Sequence, residues 1–140
     1  MFGSFPDERV NAAVSRAGLD GVIRDRGEDY RCGENGVNLS DGERQRISIA
    51  RALLRGSTVL LTDEATAALD AETAKTVTDS ILNLDGLTRV VVTHRLEPSA
   101  LSRYDKIIVM KNGRICEEGN FGELMAAKNQ FYALYTVANG

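Results

Sequence analysis

Helical stripes and short apolar runs alternate along this chain, and together they predict an α/β fold. Val10, Ala13, Val14 and Ala17 recur on one face behind Asp7 and Glu8, and Gly18 ends the segment. That is a short amphipathic helix with acids in its first turn. Residues 19–24 add another turn, and the polar, glycine-rich stretch 24–38 reads as loop. Ile47, Ala50 and Leu54 then share a stripe in a helix over 44–55, with Arg44, Arg51 and Arg55 on more exposed faces and Gly56 as its stop. Val59-Leu60-Leu61 is a continuous apolar run, the kind a parallel strand covered on both faces carries. Ala74, Val77, Ile81 and Leu84 mark a helix over 71–84, closed by Gly86, and residues 89–93 form a second strand of the same buried type. A short helix over 98–103 precedes a third strand at 106–110. Asn112-Gly113 is a type I′ hairpin signal leading into 114–118. Residues 121–127 and 129–137 read as terminal helices, with Phe131, Leu134 and Tyr135 as packing residues.

At 140 residues the sequence is one domain's worth of chain, or part of a larger one. A hydrophobic fraction of 43% supports a core and argues against disorder. The net charge of -3 leaves no basic footprint for nucleic acid or anionic lipid. No apolar run approaches a membrane span, and no basic-then-apolar signal opens the chain, so any membrane connection comes through a partner or another segment. Cys32 and Cys116 fit no C-x-x-C pattern and read as reduced, cytosolic thiols. Neither an internal repeat nor a low-complexity stretch occurs.

The candidate chemistry lies between Leu39 and His94. Ser40 and Glu43 form S-x-x-E, a capping box in which the hydroxyl takes a free helix N–H and the carboxylate reaches back. Most such boxes are only caps, although a helix N-terminus with Ser and Gly in its first turn also suits a phosphate. Asp63 and Glu64 follow the first strand, and in open α/β sheets ligands bind beyond the carboxyl ends of strands. Adjacent acids there suit a division of labour, one on Mg²⁺ and the next orienting a water for attack on phosphorus. His94 stands at the carboxyl end of the second strand.

Taken together these stretches resemble the nucleotide-binding domain of ATP-binding cassette (ABC) transporters. Leu39-Ser40-Asp41-Gly42-Glu43 resembles the family's signature motif, and residues 59–64 resemble its Walker B strand and catalytic glutamate. Ala68-Leu69-Asp70 is similar to the D-loop, His94 to the switch histidine, and Arg31-Cys32-Gly33-Glu34 to the X-loop of exporters. The resemblance implies an incomplete P-loop NTPase-like, three-layer parallel sheet. Residues 1–38 would belong to the helical subdomain, and residues 39–140 to the C-terminal part of the ATPase core with its hairpin and helices. It implies ATP and Mg²⁺ as cofactors, with Asp63 on the metal, Glu64 and His94 catalytic, and Leu39, Ser40, Asp41, Gly42, Glu43 and Asp70 in contact with nucleotide or the facing protomer. The implied partners are exporter transmembrane domains and a second nucleotide-binding domain, at the cytoplasmic face of the membrane, with no nucleic acid.

Two features qualify that picture. No G-x-x-x-x-G-K-[ST] occurs, so the loop that cradles phosphates is absent from this sequence. Without the strand that carries it, two sheet edges are expected to stand unpaired, and the chain alone is expected to self-associate or rearrange. Asp41 and Glu43 also replace the family's usual glycine and glutamine, placing negative charge where a triphosphate approaches. On that view Asp41→Gly tightens nucleotide-dependent dimerisation. The alternative to an ATPase is a non-catalytic interaction fragment. A cassette ATPase of chromosome maintenance is disfavoured by the X-loop-like segment, the acidic balance and the lack of heptads.

Overall fold

The computed structural model describes residues 5–140. The chain is α/β and divides after Thr93 into two compact units, each with a two-stranded sheet. The first unit holds α1 (Asp7–Arg16), α2 (Asp20–Arg26), a 3-10 turn at Glu34–Gly36, α3 (Asp41–Leu54), β1 (Val59–Asp63), α4 (Ala71–Leu82) and β2 (Thr88–Val92). Ala13 of α1 and Ala17 and Leu19 of the turn between α1 and α2 meet Ile49 and Ala50 of α3, Leu60 of β1, and Ala74, Val77 and Ile81 of α4 in one core. Two arginines fasten α1 to that core. Arg9 Nη2 donates to the Leu54 carbonyl at 2.8 Å, satisfying the last turn of α3, and Arg16 Nη2 donates to the Asp85 carbonyl at 2.7 Å.

At Gly42 the backbone of α3 lies against Thr73 of α4. A Cβ there would lie 2.4 Å from Thr73 Cγ2, and Gly42 is buried. Threonine is stiff at χ1, so the methyl cannot swing away cheaply. Gly42→Ala is therefore expected to destabilise the chain by about 1–3 kcal/mol. Adding Thr73→Ser, which removes that methyl, should recover part of the loss in urea melts; no recovery would mean the crowding lies elsewhere.

β1 and β2 pair in parallel, with Val59 opposite Thr88 and Asp63 opposite Val92. The two strands are covered on one face only, a correction to the expectation of burial on both. Leu60 and Thr62 face the helices, whereas Val59 and Leu61 are 54% and 67% exposed, and Val90 and Val92 are 45% and 49% exposed. The reason is that α3 and α4 account for one face and nothing among the described residues of this unit reaches the other. Among the described residues β2 pairs only with β1, and β3 only with β4, as expected of a sheet short of a strand. Self-association is the expected result, read as a mass above the monomer by light scattering; a monodisperse monomer with a cooperative melt would overturn it.

The second unit holds α5 (Pro98–Leu101), β3 (Ile107–Lys111), β4 (Arg114–Gly119), α6 (Phe121–Ala127) and α7 (Gln130–Asn139). Asn112 and Gly113, at φ of 52° and 73°, make the two-residue turn with both residues left-handed, as type I′ requires. Leu101, Val109, Leu124 and Phe131 form the core. Phe131 meets Phe121 edge-on, with centroids 6.1 Å apart, and stacks on Tyr135 at 6.3 Å. Leu134, expected to pack, is 45% exposed, because the buried stripe of α7 runs through Phe131 and Tyr135 instead. The start of α7 is capped from a distance: the Glu117 carboxylate on β4 accepts the N–H of Gln130 at 3.2 Å and of Phe131 at 2.6 Å.

Candidate functional site

The first turn of α3 is built as its sequence requires. Ser40 Oγ accepts the Glu43 N–H at 3.2 Å, and Glu43 Oε2 accepts the Ser40 N–H at 2.8 Å, closing the capping box. That leaves the N–H groups of Asp41 and Gly42 as the two in this turn without an intrahelical acceptor. The Ser40 hydroxyl keeps its own proton available to donate. Leu39 precedes the cap and is half-buried.

Asp63 is the last residue of β1 and is exposed. Glu64 follows it with φ 45°, in the left-handed region a non-glycine residue rarely adopts. The Glu64 N–H donates to the Val92 carbonyl at 2.9 Å, so the turn carrying both acids is tied to the end of β2. An open cleft of about 340 Å³ connects this turn to α3. Asp41, Arg44, Ser48, Glu64 and Leu69 line it. The structure thus brings Asp41 of the signature-like turn, the strand-end Glu64 and Ala68-Leu69 of the D-loop-like stretch to one cleft of the first unit, while Ser40, Gly42, Glu43, Asp63 and Asp70 lie outside its lining. His94 is the exposed first residue of the second unit, two positions beyond β2.

Asp70 caps α4: its carboxylate accepts the Thr73 N–H at 3.0 Å. Hydrogen bonds from the Thr73 side chain and then its backbone hold the Asp70 carboxyl below its ordinary value of 3.8. A carboxyl lowered in the folded state stabilises the fold above its unfolded value, and the benefit fades as pH falls through the lower, folded value. Asp70→Asn keeps a capping oxygen but removes the charge. The gap in urea midpoint between wild type and this variant should therefore shrink from about pH 6 to about pH 3. A gap constant with pH would detach the charge from the cap.

The two acids that depart from the usual signature both have partners. Asp41 pairs with Arg44 one turn along α3, and Glu43 Oε1 lies 3.1 Å from Arg26 Nη2 at the end of α2. The i,i+3 spacing of Asp41 and Arg44 is a signal the sequence carries, whereas an irregular loop separates Arg26 from Glu43 and no spacing signals that contact. Among the described residues no group of three or more His, Cys, Asp or Glu side chains is gathered to hold a metal.

The ABC transporter family profile matches residues 6–67. The chain is 45% identical over 112 residues to the heterocyst differentiation ATP-binding protein HepA of Nostoc sp., covering 79% of this chain and 18% of that protein. It is 41% identical over 133 residues to the ATP-dependent lipid A-core flippase of Legionella pneumophila, covering 93% of this chain and 22% of that one. A solved bacterial Atm1-family ABC exporter with ATP bound superposes with a TM-score of 0.82 at 30% identity, covering 96% of this chain. The chain matches part of the nucleotide-binding domain of exporter-type ABC transporters. It spans 24% of that exporter chain, so this cassette piece carries a minor share of the proteins it resembles. No helix among the described residues is long and apolar enough to cross a membrane.

Proposed function

We propose that this chain supplies the hydrolytic acids and the signature turn of an ATP-driven exporter, working on nucleotide whose phosphate-cradling loop lies outside this sequence. The observation that carries the reading is the in-register parallel pairing of β1 and β2, which sets Asp63 opposite Val92 at one sheet rim. A single exposed carboxylate suits Mg²⁺, which takes one or two carboxylates beside substrate phosphates and waters. Asp63 would hold the ion through water, and the ion when bound neutralises charge developing on the β- and γ-phosphates.

Glu64 accepts a hydrogen bond from the attacking water and turns its lone pair toward phosphorus. His94 donates to the transferring phosphoryl group. Ser40 and Gly42 present a hydroxyl and an N–H to the γ-phosphate of the opposing cassette, within the turn formed by Leu39, Asp41 and Glu43. Asp70 contacts that facing protomer. The partners on this reading are a second nucleotide-binding domain, head to tail, and exporter transmembrane domains at the cytoplasmic face of the membrane.

Alone, the chain acts as an interaction piece, since nothing in its sequence supplies the Gly-rich phosphate loop. Steady-state phosphate release separates the two roles. The 140-residue chain is expected to show none. A longer form bearing G-x-x-x-x-G-K-[ST] is expected to turn over ATP and to lose turnover on Asp63→Asn. Hydrolysis by the chain alone, or an unaffected Asp63→Asn, contradicts the assignment.

A further inference from the structure

Asp41 and Glu43 make this signature turn unusually acidic, and the structure answers each with an arginine of different standing. The Asp41–Arg44 pair is a surface contact between side chains 51% and 47% exposed, so solvent screens it. The Glu43–Arg26 pair is more enclosed, at 12% and 33% exposure, and is screened less. Glu43 divides its carboxylate, giving one oxygen to the Ser40 N–H and the other to Arg26. Arg26 is itself held on two further sides. Its Nη1 donates to the Asn38 carbonyl at 3.1 Å, and its guanidinium lies over the Tyr30 ring, 4.9 Å from the centroid. The Tyr30 hydroxyl donates to the same Asn38 carbonyl at 3.2 Å, closing a clasp just before Leu39.

We propose that Arg26 is a positioning residue of the signature turn: it holds the Glu43 carboxylate on the Ser40 N–H and cancels its charge, keeping the first turn of α3 receptive to a polyphosphate. This rests on the reading of that turn as a phosphate contact. A glutamine at 43 would cap the helix equally well without a charge to cancel, so the need for Arg26 is tied to glutamate at that position.

The test is an amide NMR titration of the 140-residue chain with sodium tripolyphosphate at fixed ionic strength, following the Asp41 and Gly42 signals. Arg26→Gln is expected to weaken binding roughly three- to tenfold, the effect of one uncompensated charge within several ångströms of the anion. Adding Glu43→Gln should return the affinity to within about twofold of wild type, because the charge that Arg26 cancels is then gone, and Arg26→Lys should bind more tightly than Arg26→Gln, because it keeps the charge while losing the fork. Glu43→Gln alone should tighten binding by a similar factor, an arm that serves even where Arg26→Gln fails to fold. Equal affinity in wild type and Arg26→Gln, or a double variant as weak as Arg26→Gln, overturns the inference while the phosphate-contact reading stands. No response of the wild-type Asp41 and Gly42 amides overturns both.

Discussion

Phe131→Ala is expected to cost the second unit about 3–5 kcal/mol, most of what so small a core supplies. Phe131 is 2% exposed, and its ring is shared between β3, α6 and α7 through Val109, Leu124 and Tyr135. Truncation removes the ring that Phe121 meets edge-on and leaves a cavity lined by aliphatic and aromatic groups that cannot collapse without moving the hairpin. The loss should appear as unprotected amides in β3 and β4 by hydrogen exchange. Phe131→Leu, which keeps most of the volume, should cost less than about 1.5 kcal/mol. Equal protection in wild type and Phe131→Ala would mean that the hairpin does not depend on this core.

What could be read from the residues was local. The Ser40–Glu43 box and the left-handed Asn112-Gly113 turn each depend on a few adjacent positions, and each formed as expected. So did the parallel pairing of the two strands that carry the acids and lead to His94. Burial was less legible. Val59-Leu60-Leu61 has the composition of a strand covered on both faces, yet coverage belongs to whatever packs there, and here Leu61 faces solvent. Leu134 fails for the same reason, since several phases of an apolar helix fit its sequence and packing selects one. Arg26 shows a further limit: the loop between it and Glu43 has no periodicity from which a contact could be inferred.

The bare apolar face and the acidic rim belong to the same two strands. Alternation in a strand points successive side chains to opposite faces, so Leu60 and Thr62 serve the core while Val59 and Leu61 form the open face. Asp63 ends that series at the rim, and Glu64 is turned out of it by its left-handed backbone. Moving the register of β1 by one residue would bury Val59 and Leu61 and expose Leu60, which the helices on the covered face oppose. The core that fixes the register therefore also fixes where the acids stand.

Glu64→Gln should produce the largest functional change, a loss of about 100-fold or more in ATP turnover in a form that carries the phosphate loop, the range a water-orienting base contributes. The substitution is nearly isosteric, and the bond from the Glu64 N–H to the Val92 carbonyl is made by backbone, so the turn itself should persist. On the proposed reading, what would be lost is the acceptor strength of the carboxylate toward the attacking water, an interaction that strengthens as the bond to phosphorus forms. Nucleotide affinity should therefore stay close to wild type while the chemical step slows, which equilibrium binding and single-turnover phosphate release measure separately. Asp63→Asn should divide the other way, weakening metal-dependent nucleotide binding, because its carboxylate would serve the ion rather than the water. Turnover within threefold of wild type in Glu64→Gln, or a matching fall in affinity, would remove Glu64 from the water-orienting role and leave the left-handed turn after β1 a feature of the fold alone.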